Sequence, residues 1–248
     1  MEVECSALNV ERSKWFVLNS GPCQPAFNMA LDEALLEAMP RLGQPVLRFY
    51  SWTKPSASFG YFQRFVEVER ATLLRPLVRR STGGGIVPHD ADWTYSLAFP
   101  AGHEWYSLAA IDSYRRIHEW IQAAFGKLNV PTDLAESCRR VGPGQCFVGH
   151  EKFDLLWRGK KIAGAAQRRT RDGLLIQGSI QPPPLELARA AWEQAMCDVA
   201  ERRSVGVHAL ACFPDKLKLE LQLDTALRER TEELAAQKYS QAGFTRKR

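Results

Sequence analysis

Residues 78–92 read VRRSTGGGIVPHDAD. Three consecutive glycines, Gly83, Gly84 and Gly85, take every side chain off a backbone turn, which opens positive φ to the chain and lets another group approach the amides closely. Arg79 and Arg80 place two fixed positive charges before the glycines, and His89-Asp90 follows soon after them. Val78 on one side, and Ile86, Val87 and residues 93–99 on the other, are apolar and β-prone. The stretch is therefore expected to form strand, glycine turn, strand, a hairpin facing a ligand. A bare glycine triplet on its own favours a flexible hairpin; the arginine pair and the compact His-Asp reverse that preference toward a site. Neither Gly-x-Gly-x-x-Gly nor Gly-x-x-x-x-Gly-Lys-Ser/Thr occurs here, which excludes the two standard nucleotide-loop fingerprints.

Upstream, residues 15–18 are a short apolar run expected to open the sheet, closed by Ser20-Gly21-Pro22. In 27–39, Phe27, Leu31, Ala34, Leu35 and Ala38 share one helical face, and Pro40 with Gly43 is expected to stop the helix. Asn28 and Asp32 share another face. A capping amide and a solvated first-turn acid explain them as well as a role in the site does. Residues 46–52 alternate as a strand, and 55–60 is a small-residue loop returning to Tyr61 and Phe62, which with Phe59 suit a core better than a groove.

Downstream, Ser107 stands where it would cap a helix whose residues Leu108, Ile111, Tyr114, Ile117, Ile121 and Phe125 run at helical spacing to Gly126. Residues 129–145, with Pro131, Gly142, Pro143 and Gly144, read as a loop or strand remnant. Three strand-like runs follow at 153–157, 161–167 and 174–180, and short turns join them into a meander. Pro182, Pro183 and Pro184 end it and are expected to start a helix that buries Leu187, Ala191, Ala195 and Val199. A further helix is expected over 225–237. Helices interrupt hairpins rather than alternating with single strands, so the fold class is α+β, a mixed or antiparallel sheet flanked by helices. One domain is expected over 1–248, with a core at about 15–200 and an extension over 201–248.

The chain has 248 residues, 45% of them hydrophobic, and a net charge of +5. That supports a real core, and the charge favours acidic partners without indicating nucleic acid. The six cysteines form no CxxC pair, which argues against structural zinc or a disulfide framework and for a reducing compartment. The start of the chain has no apolar run, and no segment approaches the ~20 apolar residues of a membrane span, so a cytoplasmic protein without membrane contact is expected.

Chemistry has two further candidates. Lys161 precedes a run of small residues, Ala163, Gly164, Ala165 and Ala166, that leaves a ligand room beside one ammonium; a compact cation there can stabilise a carbonyl or phosphate oxygen. A surface lysine after the Arg158-Gly159 turn is the alternative. Cys146 is a candidate nucleophile if nearby positive charge favours its thiolate, and an inert buried thiol otherwise. No sequence argument brings His89 or His150 to that sulfur. Cys138, Cys146 and His150 have irregular spacing and no fourth ligand, so no metal site is expected.

In order, FNMALDEALLEAM (27–39), VLRFYSW (46–52), RRSTGGGIVPHD (79–90) and KKIAGAAQRR (160–169) followed by LLIQGSI (174–180) resemble the biotinyl/lipoyl protein ligase and transferase superfamily, on its lipoate side. The resemblance implies a single biotinyl/lipoyl-transferase-like catalytic domain with a mixed sheet. The acyl or acyl-adenylate ligand would lie between the glycine hairpin and the lysine-bearing strand. Arg79, Arg80, Ser81, Thr82, Gly83, Gly84, Gly85, His89 and Lys161 would line that site, with Gly164, Ala165, Gln177 and Gly178 from the last two motifs. Gln177 stands where the family commonly has a histidine.

Residues 146–167, CFVGHEKFDLLWRGKKIAGAAQ, resemble the octanoyltransferase branch, in which a Cys-Phe pair stands fifteen residues before the site lysine. This implies octanoate carried on Cys146, with Lys161 stabilising the oxyanion and no cofactor. The donor would be acyl carrier protein and the acceptor a lipoyl domain of a 2-oxoacid dehydrogenase or the glycine cleavage H protein. The chain leaves little room for the further domain that many lipoate ligases carry. A lipoate-protein ligase would need ATP and Mg and no enzyme thioester; a non-catalytic acyl- or biotin-binding regulator would keep the pocket without turnover. Acyl carrier proteins are acidic, so Arg139, Arg140, Lys160, Arg168, Arg169 and Arg171 are candidate docking charges or a solvated rim.

Overall fold

The first strand outruns its apolar start. β1 (Trp15–Cys23) continues through Ser20-Gly21-Pro22 because Asn19 Oδ1 accepts the Gly21 amide and the register shifts between Asn19 and Pro22, a bulge rather than an end. The computed structural model describes residues 15–139, 149–203, 218–220 and 224–247.

In chain order, β1 is followed by α1 (Pro25–Leu42), β2 (Val46–Trp52), β3 (Ser56–Phe59), α2 (Phe65–Ala71), β4 (Leu77–Arg79), β5 (Val87–His89) and β6 (Trp93–Pro100). Then come α3 (Glu104–Ser107), α4 (Ala110–Lys127), β7 (Asp133–Leu134), β8 (Leu155–Trp157), β9 (Lys160–Arg169) and β10 (Gly173–Ile180). The remaining elements are α5 (Arg189–Arg203), β11 (Lys218–Glu220), α6 (Thr225–Leu234), a π-helical turn Ala235–Tyr239 and α7 (Ala242–Thr245). No helix among the described residues is long and apolar enough to cross a membrane.

Among the described residues, eight strands form one mixed sheet in the order β11-β1-β2-β6-β10-β9-β8-β7. The β11, β1 and β2 strands are parallel and the rest antiparallel, so the expected α+β class and mixed sheet hold. The β8-β9-β10 meander also holds. Its first turn is the pair Arg158 (φ 48) and Gly159 (φ 75), the two-residue positive-φ turn that matches strand twist. Side chains alternate across the sheet: Val46 and Tyr50 pack toward α1, while Leu47 and Phe49 pack toward α4 and α5. Trp120 of α4 donates its indole N–H to Met196 O of α5 at 2.8 Å. On the opposite face α6 packs against α1. Residues expected to be an extension thus add both a strand and a covering helix.

The glycine stretch is not a hairpin. β4 and β5 do not pair; β3 lies between them, parallel to β4 and antiparallel to β5, in a separate small sheet. Gly60 must lack a side chain where it meets the triplet: a Cβ on Gly60 would lie 2.0 Å from Gly84 O and 2.8 Å from Gly83 C. The backbone that comes close to the glycines is thus partly the protein's own.

Four local expectations also change. Helix α1 runs through Pro40, and Gly43, at φ 66, ends it by donating its amide to Met39 O. Ser107 closes α3, and Ala109 occupies the N-cap of α4, leaving Ile111 exposed. The three prolines do not start a helix, although Ala195 and Val199 are buried as expected. α5 begins at Arg189, and Trp192 and Met196 take buried positions while Ala191 is exposed. Asn28 and Asp32 are neither cap nor solvated acid; both have no exposure.

Candidate active site

Between the small sheet and the β6, β9 and β10 strands lies a mostly apolar cavity that spans about 490 Å³ when its open mouth is included. Met29, Tyr50, Trp52 and Val87 give it apolar surface, and Ala165 and Ala166 leave it wide along β9.

Lys161 enters this cavity at the start of β9. Its Nζ lies 2.8 Å from Asp154 Oδ2, and each side chain is 8% exposed. Asp154 is itself held, accepting the Glu151 amide at 2.7 Å. A Cβ on Gly164 would lie 2.7 Å from Lys161 Cε, so part of the room left by the small-residue run belongs to the lysine.

Arg80 faces the same cavity and is tied to the loop. It donates to Gly83 O at 2.8 Å, Gly85 O at 2.9 Å and Ser58 Oγ at 2.9 Å. His89 stacks on Trp52 at 3.8 Å between ring centroids. Its Nδ1 is 2.8 Å from Asp92 Oδ2 and its Nε2 is 2.7 Å from Ser58 Oγ. Burial outweighs the pull of Asp92 and holds the imidazole below its ordinary pKa. The donor pattern of a neutral ring then runs one way: Arg80 to Ser58, Ser58 to Nε2, Nδ1–H to Asp92. Thr94 and Ser179 donate to the same Asp92 oxygen. With both nitrogens committed, His89 is a strut rather than a base.

Gln177 joins the loop to α1. A carboxylate only accepts, so the amide nitrogen faces Asp32 Oδ2 at 2.7 Å and the amide oxygen accepts from Thr82 Oγ1 at 2.7 Å. Asp32 Oδ1 pairs with Arg48 Nη1 and accepts from Ser96 Oγ, both at 2.6 Å. Tyr50 donates to Asp32 Oδ2, and burial followed by that carboxylate raises the phenol's pKa.

Of the residues expected to line the site, Arg80, Gly84, His89, Lys161, Gly164, Ala165, Gln177 and Gly178 surround the cavity. Thr82 touches it through Gln177, and Gly83 and Gly85 through Arg80. Arg79 and Ser81 turn elsewhere: the Arg79 guanidinium has no exposure and donates to main-chain oxygens of Tyr61 and Phe244, and Ser81 reaches Tyr239. Cys146 lies outside the described residues, as does Arg140. Among the expected docking charges, Arg169 is used internally by Tyr106 O, Leu108 O and Ser113 Oγ, and Arg168 faces Glu33 at 3.3 Å. Arg139, Lys160 and Arg171 are exposed. Sequence reasoning missed Asp154, Ser58, Trp52 and Asp92. For Asp154 the Arg158-Gly159 turn signals only that this stretch folds back toward Lys161, not which residue faces it, because the β8–β9 register shifts between Leu155 and Leu156.

A profile described as lipoyl protein ligase A/B catalytic domain matches residues 24–182. The chain belongs to that family. Its relatives include an octanoyltransferase LipM of Bacillus cereus, 35% identical over 193 residues, covering 71% of this chain and 67% of that protein. Another LipM, from Oceanobacillus iheyensis, is 39% identical over 176 residues, covering 68% and 64%. The chain thus matches about two-thirds of these relatives' length. Lipoate-protein ligase A bound with ATP superposes at TM-score 0.71 with 18% identity, covering 94% of this chain and 98% of that one. A bi-partite lipoate protein ligase from Thermoplasma acidophilum superposes at 0.64, also 18% identical, covering 94% and 96%. At that identity these structures speak to the fold alone. The lipoyl protein ligase A/B span contains every cavity-lining residue and leaves α5, β11, α6 and α7 outside it.

Proposed function

We propose that this chain is an octanoyltransferase of protein lipoylation that carries the acyl group on Cys146. One observation supports it above others: in a chain 35% identical to octanoyltransferase LipM, an ammonium held by Asp154 faces an apolar cavity walled by the glycine loop. In the first step the Cys146 thiolate attacks the carbonyl carbon of an octanoyl thioester, and the donor's thiolate leaves and takes up a proton. In the second, the ε-amine of a lipoyl-domain lysine attacks the enzyme thioester, an amide forms, and the amine's proton passes to the departing cysteine sulfur. Lys161 stabilises the oxyanion of both tetrahedral intermediates, a contribution of ~3 kcal/mol for one such donor.

The donor in this reading is acyl carrier protein, the acceptor a lipoyl domain of a 2-oxoacid dehydrogenase or the glycine cleavage H protein, and no cofactor takes part. The ATP-bound ligase of like fold makes adenylate chemistry the reading to test against. Intact-mass measurement of the enzyme after mixing with octanoyl carrier protein separates the two. A single octanoyl adduct on the enzyme supports the transferase, and its absence counts against it.

A further inference from the structure

Neighbouring arginines of the glycine stretch serve opposite sides. Arg80 turns into the cavity, whereas Arg79 turns away toward a segment, residues 238–247, that lies outside the family span. The Arg79 guanidinium donates to Tyr61 O at 2.7 Å and Gln63 O at 2.8 Å on the turn after β3, and to Thr245 O at 3.0 Å on α7. It is fully buried, so its charge is satisfied by fixed carbonyl dipoles, and its planar fork suits several at once where a lysine would not. A second tie comes from the π-helical turn. Tyr239 donates to Glu33 Oε2 at 2.7 Å, Lys238 reaches the same oxygen at 2.6 Å, and the Ser81 side chain meets the Tyr239 phenol. Single π-turns of this sort cluster at functional sites. A third is Lys247 Nζ to Tyr61 OH at 2.5 Å. The ties thus grip residues 79 and 81, immediately before the glycines, and the turn that Gly60 presses against them.

We propose that residues 238–247 are an intramolecular strap that holds the glycine loop in place for the acyl group, with Arg79 and Tyr239 as positioning residues. The proposal rests on the reading of that loop as an acyl-binding wall. Its logic is preorganisation: a loop fixed from outside does not have to be ordered when ligand arrives.

The test uses the full chain with Arg79→Lys and Tyr239→Phe, read by hydrogen exchange without ligand and by steady-state kinetics with octanoyl carrier protein. Amide exchange over residues 80–86 should rise at least tenfold in both variants while β6 and β10 exchange as in the parent. The KM for the donor should rise at least fivefold, with kcat within threefold. Unchanged exchange over 80–86 overturns the strap, and raised exchange with unchanged KM overturns its role in acyl binding. Should Arg79→Lys not fold, Tyr239→Phe removes a single oxygen and carries the same measurements. A parent protein that transfers no octanoyl group would sink the functional reading instead, and the ligand-free exchange would still decide the strap.

Discussion

A methyl group added at Gly164 would lie 2.7 Å from Lys161 Cε and 2.8 Å from its Nζ. Those atoms are the far end of a flexible side chain, so the lysine swings away from Asp154 while the strand stays in place. Gly164→Ala should therefore keep the unfolding midpoint within a few degrees and lower kcat/KM for octanoyl transfer about tenfold or more. At this scale the lysine was legible, because a charge beside a run of small residues is unusual. Its carboxylate partner was not, since the register of β8 against β9 shifts between Leu155 and Leu156 and a bulge is not written in the alternation. The place of His89 at the cavity was legible but its bonding was not: its carboxylate is Asp92, whereas the adjacent Asp90 is exposed.

Between elements, α1 is bolted to the sheet by charge as well as by apolar packing. Arg48 of β2 donates to Asp32 Oδ1 at 2.6 Å, to Asn28 Oδ1 at 2.7 Å and to Asn28 O at 2.9 Å, all without exposure to water. Removing one member leaves the guanidinium buried and uncompensated, so Asp32→Asn should cost about 3–5 kcal/mol in urea unfolding. Gln177 hangs from the same carboxylate, and the variant should also loosen Thr82 and the loop. Helices and strands were readable here from their periods, and the polar pair Asn28 and Asp32 was seen to share a face. Their burial was not readable, because it depends on Arg48, Tyr50 and Ser96 arriving from other strands. The supposed hairpin failed for a similar reason: β3 (Ser56–Phe59), well before β4 (Leu77–Arg79) and β5 (Val87–His89) in the chain, takes the place between its arms, and only the tertiary fold brings it there.

At the scale of the whole molecule, a buried histidine behind the pair Asp154 and Lys161 sets a pH dependence. His118 of α4 is 1% exposed, and burial lowers its pKa from 6.5 to about 4, with Asp154 pulling up and Lys161 pushing down. The folded protein refuses a proton that the unfolded chain accepts between pH 6.5 and 4. Stability is therefore level above pH 6.5 for this group and declines as the pH falls through that window, by about 3 kcal/mol at ~1.4 kcal/mol per pKa unit. Denaturant titrations at several pH values should give a slope in this window that His118→Leu flattens. The α+β class and the core of the fold were legible at this scale because ordered motifs and periodicity agreed. The gripping of the glycine loop by residues 238–247 was not, since nothing local marks Arg79 as facing away from its neighbour.

Acyl transfer by this chain passes through an enzyme thioester on Cys146 if the proposed function holds. Purified protein mixed with octanoyl carrier protein and a lipoyl domain, without ATP, should show one octanoyl group on the enzyme by intact-mass spectrometry and then on the lipoyl domain, both lost in Cys146→Ala. Lipoyl-domain modification that requires ATP and persists in Cys146→Ala would contradict it.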